Sequence, residues 1–141
     1  MFMRNITLFL FWWFLFFSIS TSSADNEINL DIDENGEYDA LSDGLLIIRY
    51  LFGLTGDDLV SGILGSNSLV VEPIEIKSKL DSMRAILDVD GNGSVDALTD
   101  GLLILRYLFG LRGDSLVTQA IGTGAARNSS ESIEDYVKTI M

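Results

Sequence analysis

The sequence predicts an all-α fold made of two loop-helix repeats with short connecting helices. The stretch LDIDENGEYDALSDGLLIIRYLFGLTGDDLV, which begins at Leu30, returns at Leu87 as LDVDGNGSVDALTDGLLILRYLFGLRGDSLV, with a constant offset of 57 residues. In each copy an acidic segment leads directly into apolar residues at helical spacing. The chain has 141 residues, which suits one compact domain or a pair of small repeat units.

Residues 1–24 have the pattern of a secretory signal peptide. One charge, Arg4, precedes the apolar run ITLFLFWWFLFFSIS, and the small residues STSSA follow it. The apolar run is short for a membrane-spanning helix, so we expect cleavage before Asp25 and a secreted, periplasmic or cell-surface protein. The alternative is an uncleaved membrane anchor, because the run is unusually aromatic and its positive flank is weak.

The charge of the chain limits its partners. Removal of residues 1–24 leaves 8 basic and 21 acidic residues, a net charge of −13. Such a charge repels phosphates and anionic membrane surfaces, so we expect no nucleic-acid partner and, after signal removal, no membrane partner. The chain has no Cys and no His, which excludes disulfides, thiol nucleophiles and ordinary zinc sites. A small exported domain of this kind needs another source of stability, and a bound metal is the usual one.

Each repeat is expected to hold a loop, a buried helix and a shorter helix. After the signal peptide, the first repeat unit spans residues 25–66. Residues 67–141 hold a linker, the entering helix of the second loop, the second repeat unit and a C-terminal helix. The expected helices span residues 40–52, 57–65, 74–86, 97–109, 114–121 and 133–141. Gly53 can end the first of these helices in a left-handed conformation.

The acidic segments at residues 31–43 and 88–100 have the ligand pattern of a calcium loop. Calcium takes six to eight oxygen ligands, and alternate residues of a turn can supply them from the same side. Gly36 and Gly93 occupy the position where such a loop turns sharply. The residues predicted to ligate two calcium ions are Asp31, Asp33, Asn35, Glu37, Asp39 and Asp43 in the first loop, and Asp88, Asp90, Asn92, Ser94, Asp96 and Asp100 in the second. The predicted fold is therefore EF-hand-like.

The last acid of each loop comes one residue later than the EF-hand pattern requires. Position twelve of the first loop is Ser42, and the acid follows at Asp43, as Asp100 does in the second loop. Asp39 and Asp96 precede these acids by four residues, so each pair shares a helix face, where like charges repel unless a cation neutralises them. A simpler interpretation is that the acids only favour the helix N-terminus through its dipole. That interpretation explains neither the alternating acids nor the glycine.

The repeats resemble the duplicated calcium-binding repeat of type I dockerins. In that family an arginine, often followed by Tyr-Leu, lies six residues after the last loop Asp. The same spacing leads from Asp43 to Arg49 and from Asp100 to Arg106. The resemblance covers residues 31–54 and 88–111, with a one-residue expansion of each loop. It implies a module that docks through calcium-ordered helices onto a cohesin-like or other secreted protein domain.

Two features of the repeat helices bear on a partner. In dockerins the tenth and eleventh loop positions help to select the partner and are commonly small and hydroxylated. Here they carry Ala-Leu in both copies, and we expect Leu41 and Leu98 to pack in the core instead. Arg49 and Arg106 are charged residues within apolar helices, so they are either recognition residues, or side chains that extend to solvent or pair with a loop acid.

We expect no enzymatic activity. Paired carboxylates can hydrolyse glycosides, but every clustered pair in this sequence is assigned to a loop, and His and Cys are absent. The leading hypothesis is a secreted calcium-binding module for calcium-dependent protein–protein interaction. The alternatives are a calcium-stabilised structural spacer, or a non-catalytic piece related to dockerin-bearing polysaccharide-degrading enzymes.

Overall fold

The computed structural model describes residues 28–141, so the predicted signal peptide and its cleavage point lie outside the described residues. Within this range the protein is helical and has no β-strand, which confirms the all-α prediction for this part of the chain. None of the helices in residues 28–141 is both long and apolar enough to cross a membrane.

Six α-helices form the described part of the chain. They are α1 (Leu45–Leu51), α2 (Asp57–Val60), α3 (Pro73–Met83), α4 (Leu102–Leu108), α5 (Asp114–Val117) and α6 (Ser130–Thr139). A π-helical turn precedes α1 at Ala40–Gly44 and α4 at Ala97–Gly101, and a 3-10 turn follows α3 at Arg84–Leu87. As expected, α3 and its 3-10 turn lead directly into the second loop. Gly53 takes the predicted left-handed conformation after α1, with φ of 85°.

The helices α2 and α5 are shorter than the sequence predicts. We expected them to continue to about Gly65 and Ile121, but each has four residues. The residue after α2, Ser61, has an extended ψ of 122°, and its counterpart after α5 has the same ψ. Gly62 and Gln119 then take positive φ angles of 75° and 59°. A right-handed helix cannot continue through such a residue, so both helices end after one turn.

The two repeat units share one hydrophobic core. Leu46 and Ile47 of α1 and Leu103 and Ile104 of α4 are fully buried at its centre. The helices that follow the units also contribute to this core, α3 through Ile76, Leu80 and Met83, and α6 through Ile133 and Val137. The loops add Leu30, Ile32, Leu87 and Val89. The loops are therefore held by apolar residues that alternate with their acidic ones.

The helices α1 and α4 pack through two equivalent glycines. A Cβ atom added to Gly44 would lie 2.7 Å from Cδ1 of Leu105, and one added to Gly101 would lie 3.3 Å from Cγ1 of Ile48. Gly44 corresponds to Gly101, and Ile48 to Leu105, through the 57-residue offset. Each glycine precedes its own helix and contacts the middle of the other one. The two units therefore pack through an internally symmetric contact.

The expectation that Leu41 and Leu98 pack in the core is wrong. Their side chains are 63% and 64% exposed. The first helical turn of unit one buries Ala40 and Ser42 instead, so Leu41, which stands between them, faces solvent. Ala97 is likewise buried beside Leu98. Both leucines are therefore available on the surface.

The two ends of the described chain meet. The amide of Leu30, at the start of the first loop, donates a hydrogen bond of 3.1 Å to the carbonyl oxygen of Ile140. The hydroxyl of Tyr38 donates to the carbonyl oxygen of Met141. The first loop is thus attached to the residues that follow α6.

Candidate metal centres

Three carboxylates converge in each loop. They belong to Asp31, Asp33 and Asp43 in the first loop, and to Asp88, Asp90 and Asp100 in the second. In each group, one oxygen from every carboxylate lies within 4.8 Å of the other two. The second and third acid of each group are fully buried, and the first is partly buried. Each group can therefore hold a metal ion with oxygen ligands alone.

The third acid of each group joins the two sides of its loop. Oδ1 of Asp43 accepts a hydrogen bond of 2.6 Å from the amide of Ile32, and Oδ2 accepts one of 3.0 Å from the amide of Asp39. In the second loop Asp100 accepts the two equivalent hydrogen bonds, of 2.7 and 3.0 Å. These bonds fix the carboxylates that the expanded loops place one residue later than position twelve.

Burial disfavours the charged form of the third acid in each group. It raises the pKa of Asp43 to about 6, and the nearby charges of Asp33 and Asp31 act in the same direction, against the hydrogen bonds from the backbone. Burial also raises the pKa of Asp100. Among the described residues, none of the carboxylates in the two groups takes part in an ion pair. Buried negative charge without a partner is unfavourable, and a cation between the carboxylates would relieve it.

The first acid of each group shapes the turn. The carboxylate of Asp31 accepts hydrogen bonds from the amides of Asn35 at 3.0 Å and Gly36 at 2.9 Å. Asp88 accepts the same two bonds in the second loop, at 3.1 and 3.0 Å. Gly36 and Gly93 both have φ of 84°, so the sharp turn predicted at these glycines is present. The backbone amides of each loop therefore hold its first carboxylate in place.

Six of the predicted ligands lie outside the two carboxylate groups: Asn35, Glu37, Asp39, Asn92, Ser94 and Asp96. The side-chain oxygens of Asn35 and Asn92 accept hydrogen bonds from the amides two residues later, at 2.8 and 2.7 Å. The side chains of Glu37 and Ser94 are exposed, so a contribution from these positions has to come from the backbone carbonyl oxygen.

Asp39 and Asp96 cap the repeat helices. Oδ1 of Asp39 accepts from the amides of Leu41 and Ser42, both at 2.9 Å, and Oδ2 accepts from the Ser42 hydroxyl at 2.8 Å. Burial alone would raise the pKa of Asp39, but the hydrogen bonds from Ser42 and Leu41 lower it below its usual value. Asp96 makes the same amide contacts in the second unit. The helix-terminus interpretation therefore describes Asp39 and Asp96 well, while the buried acids four residues later have a different environment.

A lysine that the sequence analysis missed lies against the first loop. Nζ of Lys79, in α3, donates to the carbonyl oxygen of Asp31 at 2.5 Å and to the carboxylate of Glu34 at 3.1 Å. The 57-residue offset pairs Lys79 with Tyr136, so the repeat itself gives no sign of this contact. Only the folding of α3 onto the loop brings the two together.

An arginine takes the corresponding place at the second loop. Arg127 donates through Nε to the carbonyl oxygen of Val89 and through Nη2 to that of Asp88, both at 2.5 Å. Its guanidinium carbon lies 3.9 Å from the centre of the Tyr136 ring, and the Tyr136 hydroxyl donates to the carbonyl oxygen of Ile86 at 2.9 Å. Each loop is therefore supported by a positive side chain that binds its backbone and forms no ion pair with the three converging carboxylates of that loop.

Arg49 and Arg106 bind backbone carbonyl groups. Nη1 of Arg49 donates to the carbonyl oxygens of Asp58, Leu59 and Ser61, at 3.3, 3.3 and 2.9 Å. Nη1 of Arg106 makes two equivalent bonds at the end of α5, of 3.0 and 2.8 Å. The possibility that these arginines pair with a loop acid is therefore wrong. Arg49 holds α2 against α1, and Arg106 holds α5 against α4.

Comparisons with known proteins found no relative of this chain. No family model matches the chain, and neither the curated proteins nor the solved structures gave a match. The chemistry of the loops and their repetition are therefore the basis for a function.

Proposed function

We propose that the protein is a secreted, calcium-binding, dockerin-like module that mediates calcium-dependent protein–protein interaction. The observation that carries this proposal is the occurrence of two groups of three carboxylates at positions 57 residues apart. Carboxylate oxygens favour hard cations such as calcium over softer transition metals. The loop followed directly by a helix, with glycine at the turn, makes each unit EF-hand-like.

The ligands of each ion come mainly from the converging carboxylates. In the first loop Asp31, Asp33 and Asp43 would hold the ion, and in the second Asp88, Asp90 and Asp100 would do so. Backbone carbonyl oxygens at Glu37 and Ser94 and side-chain oxygens at Asn35 and Asn92 are the further donors that the loop pattern supplies. Bound calcium would neutralise the buried acids at the N-terminal end of each long helix, so that loop and helix are ordered together.

The partner surface we propose is duplicated, like the loops. Leu41 and Leu98, in the π-helical turns before α1 and α4, are 63% and 64% exposed. Phe52 and Phe109, directly after the same two helices, are 57% and 54% exposed. Large apolar side chains at equivalent exposed positions are available to a cohesin-like domain. Because both units present the same residues, either unit can engage the same partner in one of two orientations.

A calcium-stabilised structural spacer is the second candidate, and a specific observation favours it. Arg49 and Arg106, the charged residues of the long helices, bind carbonyl oxygens within their own units. The apolar residues of both units also form one core. The folded unit therefore needs no partner to satisfy these groups. A non-catalytic piece related to dockerin-bearing polysaccharide-degrading enzymes is the third candidate and carries the same calcium chemistry.

Calcium binding is tested by isothermal titration calorimetry on the chelator-treated protein, with helix content followed by circular dichroism. We expect two bound ions and a gain in helix content. Magnesium, at the same concentration, serves as the control for charge alone. Unchanged helix content and melting temperature on addition of chelator would show that the loops do not work as calcium sites.

The partner is tested with a set of purified cohesin domains, in calcium and in chelator. We expect binding in calcium that survives Leu41→Asp or Leu98→Asp alone and is lost when both are changed. If no cohesin domain binds, the spacer is the better proposal. N-terminal sequencing of the exported protein tests secretion, with Asp25 expected as the first residue and an intact Met1 in the membrane fraction as the opposite result.

A further inference from the structure

The segment that follows the first repeat unit exposes an apolar patch that extends into the start of α3. Leu69 and Ile74 are each 78% exposed, and Val71 is 45% exposed. The amides of Leu69 and Val70 both donate to the carbonyl oxygen of Asp33, at 2.9 and 3.0 Å, so the backbone under the patch is fixed to the first loop. The patch is therefore presented by an anchored segment.

The second repeat unit serves as an internal control for this patch. Through the 57-residue offset, Leu69, Val71 and Ile74 correspond to Ala126, Asn128 and Glu131, which are also exposed. The buried positions that follow remain apolar in both units, as in Ile76 and Ile133 or Leu80 and Val137. The fold thus requires apolar residues at the buried positions and allows either polar or apolar residues at the exposed ones. The exposed apolar residues Leu69, Val71 and Ile74 need a different explanation.

A groove lies beside the patch. It has a volume of about 580 Å³ and runs between Glu34 of the first loop and the face of α3 that carries Ile74, Ser78 and Ser82. Ile74 also borders a second hollow, of about 350 Å³, with Pro73 and Lys77. An apolar side chain of a partner could enter either hollow beside Ile74.

The charge around the patch is negative. Lys77 forms an ion pair with Asp81 at 2.6 Å, and Lys79 forms one with Glu34 at 3.1 Å, so both lysines of α3 are already neutralised. Glu72 and Glu75 are exposed and take part in no ion pair within residues 28–141. A partner that covers the patch therefore meets apolar side chains with uncompensated carboxylates at their edge.

We infer that this patch and groove form a docking surface for a segment of another protein that carries a large apolar side chain next to lysine or arginine. The apolar side chain packs on Leu69, Val71 and Ile74, and the basic residues face Glu72 and Glu75. The surface is distinct from the exposed residues Leu41 and Leu98 and does not depend on them. A second copy of this chain is a poor occupant, because its own patch has the same negative edge.

The test measures binding of a fluorescein-labelled peptide of alternating leucine and lysine to the calcium-saturated protein. A twin peptide with glutamate in place of lysine is the charge control. The protein variant is Leu69→Ala/Val71→Asn/Ile74→Glu, which introduces the residues of the second unit and is therefore compatible with the fold. We expect the lysine peptide to bind the unchanged protein, with amide NMR shifts centred on residues 69–82, and the variant to bind it more weakly by roughly tenfold or more.

The charge of the variant makes the outcome decisive. Ile74→Glu adds a negative charge, so attraction between opposite charges alone would strengthen binding of the lysine peptide. Loss of binding in the variant, with retention in Leu98→Ala/Phe109→Ala, supports the apolar docking surface. Equal binding of the variant, or of the glutamate peptide, overturns it. A dimer of the unchanged protein in sedimentation velocity that is absent in the variant would also overturn it, because the occupant would then be a second copy.

Discussion

Gly44 faces Leu105 across the contact between the two repeat units, so closely that a Cβ atom on the glycine would lie 2.7 Å from Cδ1 of the leucine. At the equivalent glycine, Gly101, the nearest atom is Cδ1 of Leu51 at 3.2 Å. The helices approach this closely because neither position carries a side chain. The contact therefore has less room at Gly44 than at Gly101, although the sequence of the two units is almost the same.

Gly44→Ala should destabilise the protein by about 1 kcal/mol, because overpacking outweighs the gain of roughly 1 kcal/mol in helix propensity. Gly101→Ala should be close to neutral, since its neighbours need to move less. Urea denaturation in saturating calcium measures both. Leu105→Ala removes the atom that Gly44→Ala would meet, so the double variant should lose less than the sum of the single losses. Additive losses would mean that the two residues do not interact.

Arg49→Met should destabilise the protein by about 2 kcal/mol without any partner present, because hydrogen bonds from a charged group to three carbonyl oxygens in and just after α2 are lost. Arg106→Met should do the same in the second unit. Lys77→Met is the matched control, since Lys77 is on the surface and its ion pair with Asp81 is exposed. Thermal melts in calcium compare the three variants. A change in partner binding with unchanged stability would instead identify the arginines as recognition residues.

Asp43→Ala should remove one of the two calcium sites, because it deletes a buried carboxylate from the first group. Asp39→Ser should keep both sites, because serine can replace aspartate as a helix cap. Calorimetric titration counts the ions in each variant. Asp88→Ala/Asp90→Ala should remove the other site and leave the first. If Asp39→Ser also loses an ion, Asp39 is a ligand as well as a cap.

In chelator, the protein should become less stable as the pH rises from about 4 to about 6. The folded pKa of Asp43 is about 6, above the value of about 3.9 for an unfolded chain. The folded state therefore binds more protons than the unfolded state in this window, and stability falls as the proton is lost, by about 2 kcal/mol.

Urea denaturation at several pH values, in chelator, measures this dependence, and Asp43→Asn should flatten it. Calcium should reverse the trend, because protons compete with the ion for the carboxylates. An Asp43→Asn variant with the same pH dependence as the unchanged protein would show that the Asp43 carboxyl does not cause the effect.

The repeat made much of the site predictable. The position of Asp43, one residue beyond the expected ligand, followed from the matching spacing to Arg49, and the structure brings its carboxylate to Asp31 and Asp33. A local spacing rule was enough because each loop folds on itself through bonds to its own amides. The glycine turn at Gly36 was predictable for the same reason.

Contacts between distant residues were not predictable in this way. Lys79 reaches Asp31 over 48 residues, and Arg127 reaches Asp88 over 39. Neither Lys79 nor Arg127 has a lysine or arginine at the equivalent position of the other repeat, 57 residues away. The repeat pattern therefore gives no sign of either contact. The prediction that Leu41 is buried was wrong, because helical spacing alone does not say which of two adjacent helix faces packs against the other unit.

The hydrogen bond between Leu30 and Ile140 also determines how the module would respond to mechanical tension. A force that pulls residues 28 and 141 apart acts first on this bond and on the contact from Tyr38 to Met141. These bonds join the two ends of the described chain, whereas the contact between α1 and α4 lies farther inside. The first loop would therefore feel a pull on the chain before the second loop does, and the two proposed calcium sites would respond to tension in sequence.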